Sequence, residues 1–128
     1  MDIQEIKNAI YQKYITPTKR QRKKYVGVEF ELPIVNLNKQ PVDFKIVHQL
    51  TEKVCEHFNF DQCQFDADGN IFSALSGKNN DDISYDCSYN TLELSFGAES
   101  NLNILNERFI KYYSFIQDYL LANNHTLT

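Results

Sequence analysis

Apolar and polar residues alternate from Val26 to Leu32, with Val26, Val28, Phe30 and Leu32 set against Gly27, Glu29 and Glu31, and Ile34 keeps the phase beyond Pro33. This two-residue period is that of a β-strand with one buried face. Glu29 and Glu31 therefore share the polar face, with Cα atoms roughly 6.6 Å apart at about 3.3 Å of rise per residue. A second alternating region changes parity along its length. Ile83, Tyr85 and Cys87 are apolar at odd positions, whereas Leu92, Leu94 and Phe96 are apolar at even ones. A bulge or tight bend between Ser88 and Thr91, with Tyr89 and Asn90 as the irregular residues, returns both apolar sets to one face. Asp86 and Glu93 then share the polar face, and Cys87 belongs to the apolar side.

Helical spacing marks three further segments. Ile3, Ile6, Ile10 and Tyr14 predict a short amphipathic helix over 3–14, ended by Thr16-Pro17-Thr18. Pro33 is expected to close the first strand or lie at a sheet edge, and residues 36–42 to form a loop. Asp43 is placed to cap a helix reaching about residue 58, with Val47, Leu50 and Val54 on its apolar face. Residues 60–65 and 71–75 read as strands joined by a turn over 66–70. That turn carries acids in the manner of a calcium loop but lacks the full spacing and the closing glutamate. A final helix has Leu102, Leu105, Phe109, Tyr112 and Ile116 on one side, and no finishing element is evident after it. The order predicts an α+β fold: a largely antiparallel sheet with helices on one face and a free, acidic face opposite. The chain reads as a single domain, with a helix and basic loop over 1–24 and the sheet and its helices over 25–128.

Composition narrows the function classes. Among 128 residues, seventeen acidic side chains outnumber thirteen basic ones, which argues against broad nucleic-acid binding. No apolar run reaches the length of a membrane span and the polar start is unlike a secretion signal, so a cytoplasmic protein without membrane attachment is expected. Three cysteines, an odd number without zinc spacing, are expected to be reduced. Cys55 and Cys87 read as small buried hydrophobes. Lys19, Arg20, Arg22, Lys23 and Lys24 form a basic run that reads as a solvated loop, with contact to ATP phosphates as the alternative.

The candidate chemistry lies in the acids. Two carboxylates at the Glu29–Glu31 separation repel by about 2.5 kcal/mol at an effective dielectric near 20, a cost that water or a divalent cation offsets. Glu29, Glu31, Asp86 and Glu93 are hard oxygen ligands suited to Mg2+. Alternating polar residues on a solvated sheet face are the simpler explanation for the same pattern.

Gly27-Val28-Glu29-Phe30-Glu31, the acidic-x-serine segment Asp86-Cys87-Ser88 and the strand Glu93-Leu94-Ser95 together resemble the start of the glutamate–cysteine ligase catalytic domain. The resemblance implies that Glu29, Glu31, Asp86 and Glu93 hold Mg2+ bridging ATP and glutamate, with Ser88 in the serine position of the nucleotide site. It implies a reaction in which ATP activates the side-chain carboxylate of L-glutamate and the amine of L-cysteine displaces phosphate, the first step of glutathione synthesis. The resemblance further implies that the protein would position substrates and stabilise charge, with no covalent nucleophile of its own. Catalytic domains of that family are longer, so the chain is expected to be the amino-terminal part of one. Another ATP-dependent carboxylate–amine ligase, or a non-catalytic metal- or nucleotide-binding piece, remain alternatives. The aromatic final helix offers a face for self-association or for docking the rest of such a domain.

Overall fold

The computed structural model describes residues 2–19 and 24–128, so Arg20, Arg22 and Lys23 of the basic run lie outside the described residues. Six strands form one antiparallel sheet in the order β2-β3-β4-β5-β1-β6, and the fold is α+β. The strands are β1 (Val26–Asn36), β2 (Gln62–Phe65), β3 (Ile71–Leu75), β4 (Asp82–Tyr85), β5 (Thr91–Glu99) and β6 (His125–Leu127). Helices α2 (Phe44–Phe58) and α3 (Leu102–Ala122) pack on one another and on one sheet face. Helix α1 (Ile3–Ile10) continues through a π-helical turn, Tyr11–Ile15, and a 3-10 turn, Thr16–Lys19, and none of the three buries a residue. Thr16 and Pro17 therefore do not end the helix as expected. Proline near the start of a tight turn costs little, because its missing N–H would be unpaired there in any case.

Alternation decides which strand residues meet the helices. Ile34, Ala74, Ile83, Leu92 and Leu94 are buried beneath Val47, Leu50, Val54, Ile116 and Leu120. The Asp43 side chain caps α2 by accepting from the Lys45 N–H at 2.9 Å, and Asn59, with φ +58°, terminates it in the left-handed conformation that asparagine tolerates. In α3 the expected core side is buried at Leu105, Tyr112 and Ile116, but Leu102 lies beyond the core and is 62% exposed.

Further expectations change. The parity slip is a chain reversal, since β4 and β5 form a hairpin with Ile83 opposite Leu94 and Tyr85 opposite Leu92. A bend and a reversal both keep the apolar sets on one face, so alternation alone does not separate them. Cys87, in the connecting turn with φ +61°, is exposed and not buried on the apolar side. Residues 125–127 form a strand that the sequence does not announce, because three residues are too few to display a period. Its residues pair with β1 at Ile34–Asn36, so β1 runs through Pro33. Proline is tolerated there because it sits where β1 gains its second neighbour, and its carbonyl accepts from the Thr128 N–H at 2.9 Å.

Asp81, 1% exposed, joins sheet and helix. Its carboxylate accepts from Arg108 Nη1 at 2.6 Å, the Tyr112 hydroxyl at 2.8 Å and the Gly97 N–H at 3.0 Å. Burial, together with this carboxylate, pushes the Tyr112 hydroxyl up to about 12. Gly97 leaves room for the loop before β4, because a Cβ there would stand 2.0 Å from the Asn79 carbonyl oxygen. Removing one partner of a buried ion pair strands the other charge. Asp81→Asn is expected to cost about 3 kcal/mol of unfolding free energy in urea denaturation, and Gly97→Ala about as much by overpacking.

Candidate functional site

The face of the sheet away from α2 and α3 carries the carboxylates. Register brings Glu31 directly opposite Glu93, and Glu29 opposite Ser95. On the other flank of β5, Ser84 lies opposite Glu93 and Asp82 opposite Ser95. Residues directly opposite in an antiparallel pair share a face and have Cα atoms roughly 4.5–5.5 Å apart, so Glu31 and Glu93 are the closest acidic pair across the strands. Glu29 and Glu31 are exposed and Glu93 is half-buried. The Ser95 hydroxyl donates to Glu93 Oε1 at 2.9 Å, which orients that carboxylate.

Asp86 and Ser88 lie in the β4–β5 turn rather than on a strand. The Asp86 N–H donates to the Thr91 carbonyl at 3.0 Å, closing the hairpin one step past Tyr85 and Leu92, and Asp86 itself is exposed. Cys87 reports on this corner: its thiol is raised above its ordinary value by the hydrogen bond to Asp86, with the charge of Glu31 adding to the effect. The turn thus stands beside the Glu31 end of the acidic face. Ser88 donates from its hydroxyl to the Asn90 side chain, and it borders a hollow of about 300 Å³ with Asp66, Phe72, Tyr85 and Tyr89.

The four expected acids are thus distributed along one face and its rim, with Asp82 as a fifth on the same face. Among the described residues no group of three or more histidine, cysteine, aspartate or glutamate side chains is arranged to hold a metal ion. As oxygen donors the side chains still fit Mg2+, which commonly takes only one or two carboxylates and fills its octahedron with water and phosphate oxygens. The Glu31–Glu93 pair meets that requirement. Glu29 and Asp86 flank it.

No family model, curated protein or solved structure matches this chain.

The sequence reading missed two features beside the site. Among the described residues the outer side of β1 has a strand partner only at Ile34–Asn36, so its stretch from Val26 to Leu32 is paired there by β5 alone and leaves a sheet edge open. Glu29 and Glu31 project from that edge strand. The second is the link between two turns. The Tyr89 hydroxyl donates to Asp66 Oδ2 at 2.6 Å, while Asp66 Oδ1 accepts from the N–H groups of Asp68 and Asn70 at 2.9 and 2.8 Å. The aspartate that gives the 66–70 turn its calcium-like look is consumed in holding the turn shut.

The Tyr89 hydroxyl, followed by the Asn70 N–H, holds the Asp66 carboxyl well below the usual carboxylate range. Burial, with Asp66 adding to it, pushes Tyr89 up to about 12. A carboxylate depressed by folding contributes stability above its unfolded value, ordinarily 3.8, and that contribution fades as pH falls through the folded value. Tyr89→Phe is expected to raise the Asp66 titration point in carboxyl-carbon NMR. The stability difference from wild type should be largest at neutral pH and shrink as pH drops below the unfolded value.

Proposed function

We propose that the open acidic face is part of the Mg2+–ATP–glutamate site of an ATP-dependent ligase that joins the side-chain carboxylate of L-glutamate to the amine of L-cysteine in the cytoplasm. The observation that carries this reading is Glu31 directly opposite Glu93 on a solvent-facing sheet, with Glu29 two pairs along on the same face. It joins the resemblance of the Gly27–Glu31, Asp86–Ser88 and Glu93–Ser95 segments to the start of the glutamate–cysteine ligase domain.

Glu31 and Glu93 would hold the ion, which supplies positive charge against the oxygens of a transferring phosphoryl group. Glu29 and Asp86, exposed on either side, add negative potential that attracts a hydrated cation and disfavours an uncomplexed nucleotide. Ser95 keeps one Glu93 oxygen oriented, and Ser88 offers a hydroxyl at the rim of the same corner.

A second reading comes from the open edge of β1. Charged residues on an unpaired strand prevent edge-to-edge association, and Glu29 and Glu31 are suitably located for that role without any ligand. The two readings part experimentally. If the face binds Mg2+, titration of the chain with MgCl2 shifts the amide resonances of Glu31 and Glu93 in a saturable way, and Glu31→Gln or Glu93→Gln abolishes the shifts. If the carboxylates only guard the edge, Mg2+ produces no localised shifts, and Glu29→Thr with Glu31→Thr causes aggregation.

Turnover is the further test. A polypeptide carrying this chain as the start of a complete ligase domain should release phosphate from ATP only when L-glutamate and L-cysteine are both supplied. Glu31→Gln should lower that rate by about a hundredfold, the typical cost of about 3 kcal/mol for one electrostatic contact to the transition state. An undiminished rate in the folded variant removes the assignment.

A further inference from the structure

The first 24 residues and the remainder of the chain carry opposite charge. Residues 1–24 hold seven basic and two acidic side chains, and residues 25–128 hold six basic and fifteen acidic ones, for net charges of +5 and −9. The basic segment has a helical face of Ile3, Ile6, Ile10 and Tyr14 that stands exposed among the described residues, with Ile3 70% exposed and Tyr14 60% exposed. Four large side chains on one side of a solvent-surrounded helix form an apolar surface without a counterpart.

A counterpart exists on the acidic body. Val28 and Phe30 of β1, Phe96 of β5 and Leu102, Leu105 and Phe109 of α3 line a groove of about 180 Å³ that is mostly apolar. Phe30 and Phe109 form its floor, stacked with centroids 4.3 Å apart. Leu102, the residue of α3 expected in the core, stands exposed at its rim. Glu99, opposite Val26, and Glu107, one residue past Asn106, bring negative charge to the same end of the body. Helix α2 packs toward β3 and α3 toward β5 and β6, and the start of α3 covers this part of β1 only in part, so that Val28 and Phe30 stay half-exposed.

We propose that the amino-terminal arm of a second copy fills this groove, Ile3, Ile6 and Ile10 packing against Phe30, Leu102 and Phe109, while its own groove receives the first copy's arm. Both surfaces belong to one sequence, both are exposed among the described residues of the single chain, and their charges are opposite. A two-fold dimer satisfies the pair reciprocally. Direct pairing of the open β1 edges is the less favourable way to join two copies, because it brings Glu29 and Glu31 of each chain against those of the other. The arm carries Lys7 and Lys13 among its apolar positions, and their stems extend from an apolar contact toward acidic neighbours at its rim. The exchange is independent of any ligand on the acidic face.

Sedimentation velocity on the 128-residue chain from about 1 μM to about 500 μM tests this. The expected result is a concentration-dependent dimer whose dissociation constant rises with NaCl, as opposite net charges require. Ile6→Asp in the arm and Leu102→Asp in the groove should each weaken it by about a hundredfold. Both positions are solvent-exposed in the single chain, so the variants retain the wild-type circular dichroism. Val35→Asp, on the exposed face away from the groove, should leave the dimer intact. A chain that is monomeric throughout the range overturns the proposal, as does a dimer that tolerates Ile6→Asp or Leu102→Asp.

Discussion

A buried carboxylate holds the two layers of this protein in place. Asp81 lies at the end of the loop that enters β4, and its oxygens gather a guanidinium and a phenol from α3 and a backbone N–H from β5. Its carbonyl also accepts from the Ser76 N–H at 2.8 Å, closing its own loop. An ionised group this deeply buried is stable only with such a set of donors. The constraint acts on both partners: α3 cannot rotate about its axis without losing Arg108 or Tyr112, and β5 cannot slide without losing Gly97. The acidic face inherits that rigidity, since Glu93 and Ser95 lie on the same strand as Gly97.

Local periodicity exposes the parts of the fold whose stability is local. The alternation around Glu29 and Glu31 identifies β1 and its polar side, and Asp43 followed by Val47, Leu50 and Val54 identifies α2 from its cap onward. What stays hidden depends on contacts between distant residues. Asp81 sits next to Asp82 in a polar stretch and has the look of a solvent-facing loop residue, yet its partner Arg108 is 27 positions away. The reversal at residues 86–90 is concealed because it preserves the face of the strand residues on either side, Ile83, Tyr85, Leu92 and Leu94, and the backbone, with Cys87 at positive φ, distinguishes it from a bulge.

The same division applies to the acids. Alternation puts Glu29 and Glu31 on one side of β1 and Glu93 on the polar side of β5, but it does not say which of the first two meets the third. Register decides that, and it pairs Glu31 with Glu93. Asp86 and Ser88 read from the sequence as strand residues and lie instead in a turn beside the face. Their contribution therefore depends on the shape of the hairpin end, which the Tyr89–Asp66 hydrogen bond ties to a neighbouring turn.

The partner arrangement of β1 also bears on how the chain acquires its fold. Strands β2, β3 and β4 pair with neighbours close in sequence, whereas β1 waits for β5 and then for β6; the contact from Thr128 back to Pro33 spans 95 positions. During synthesis β1 stays without partners while residues 37–90 are made, the period in which an apolar alternating strand is most exposed to wrong pairings. Glutamates at alternate positions give that waiting strand a repulsive side. The carboxylates proposed to attract a cation would thus also act earlier, keeping nascent copies apart until β5 arrives.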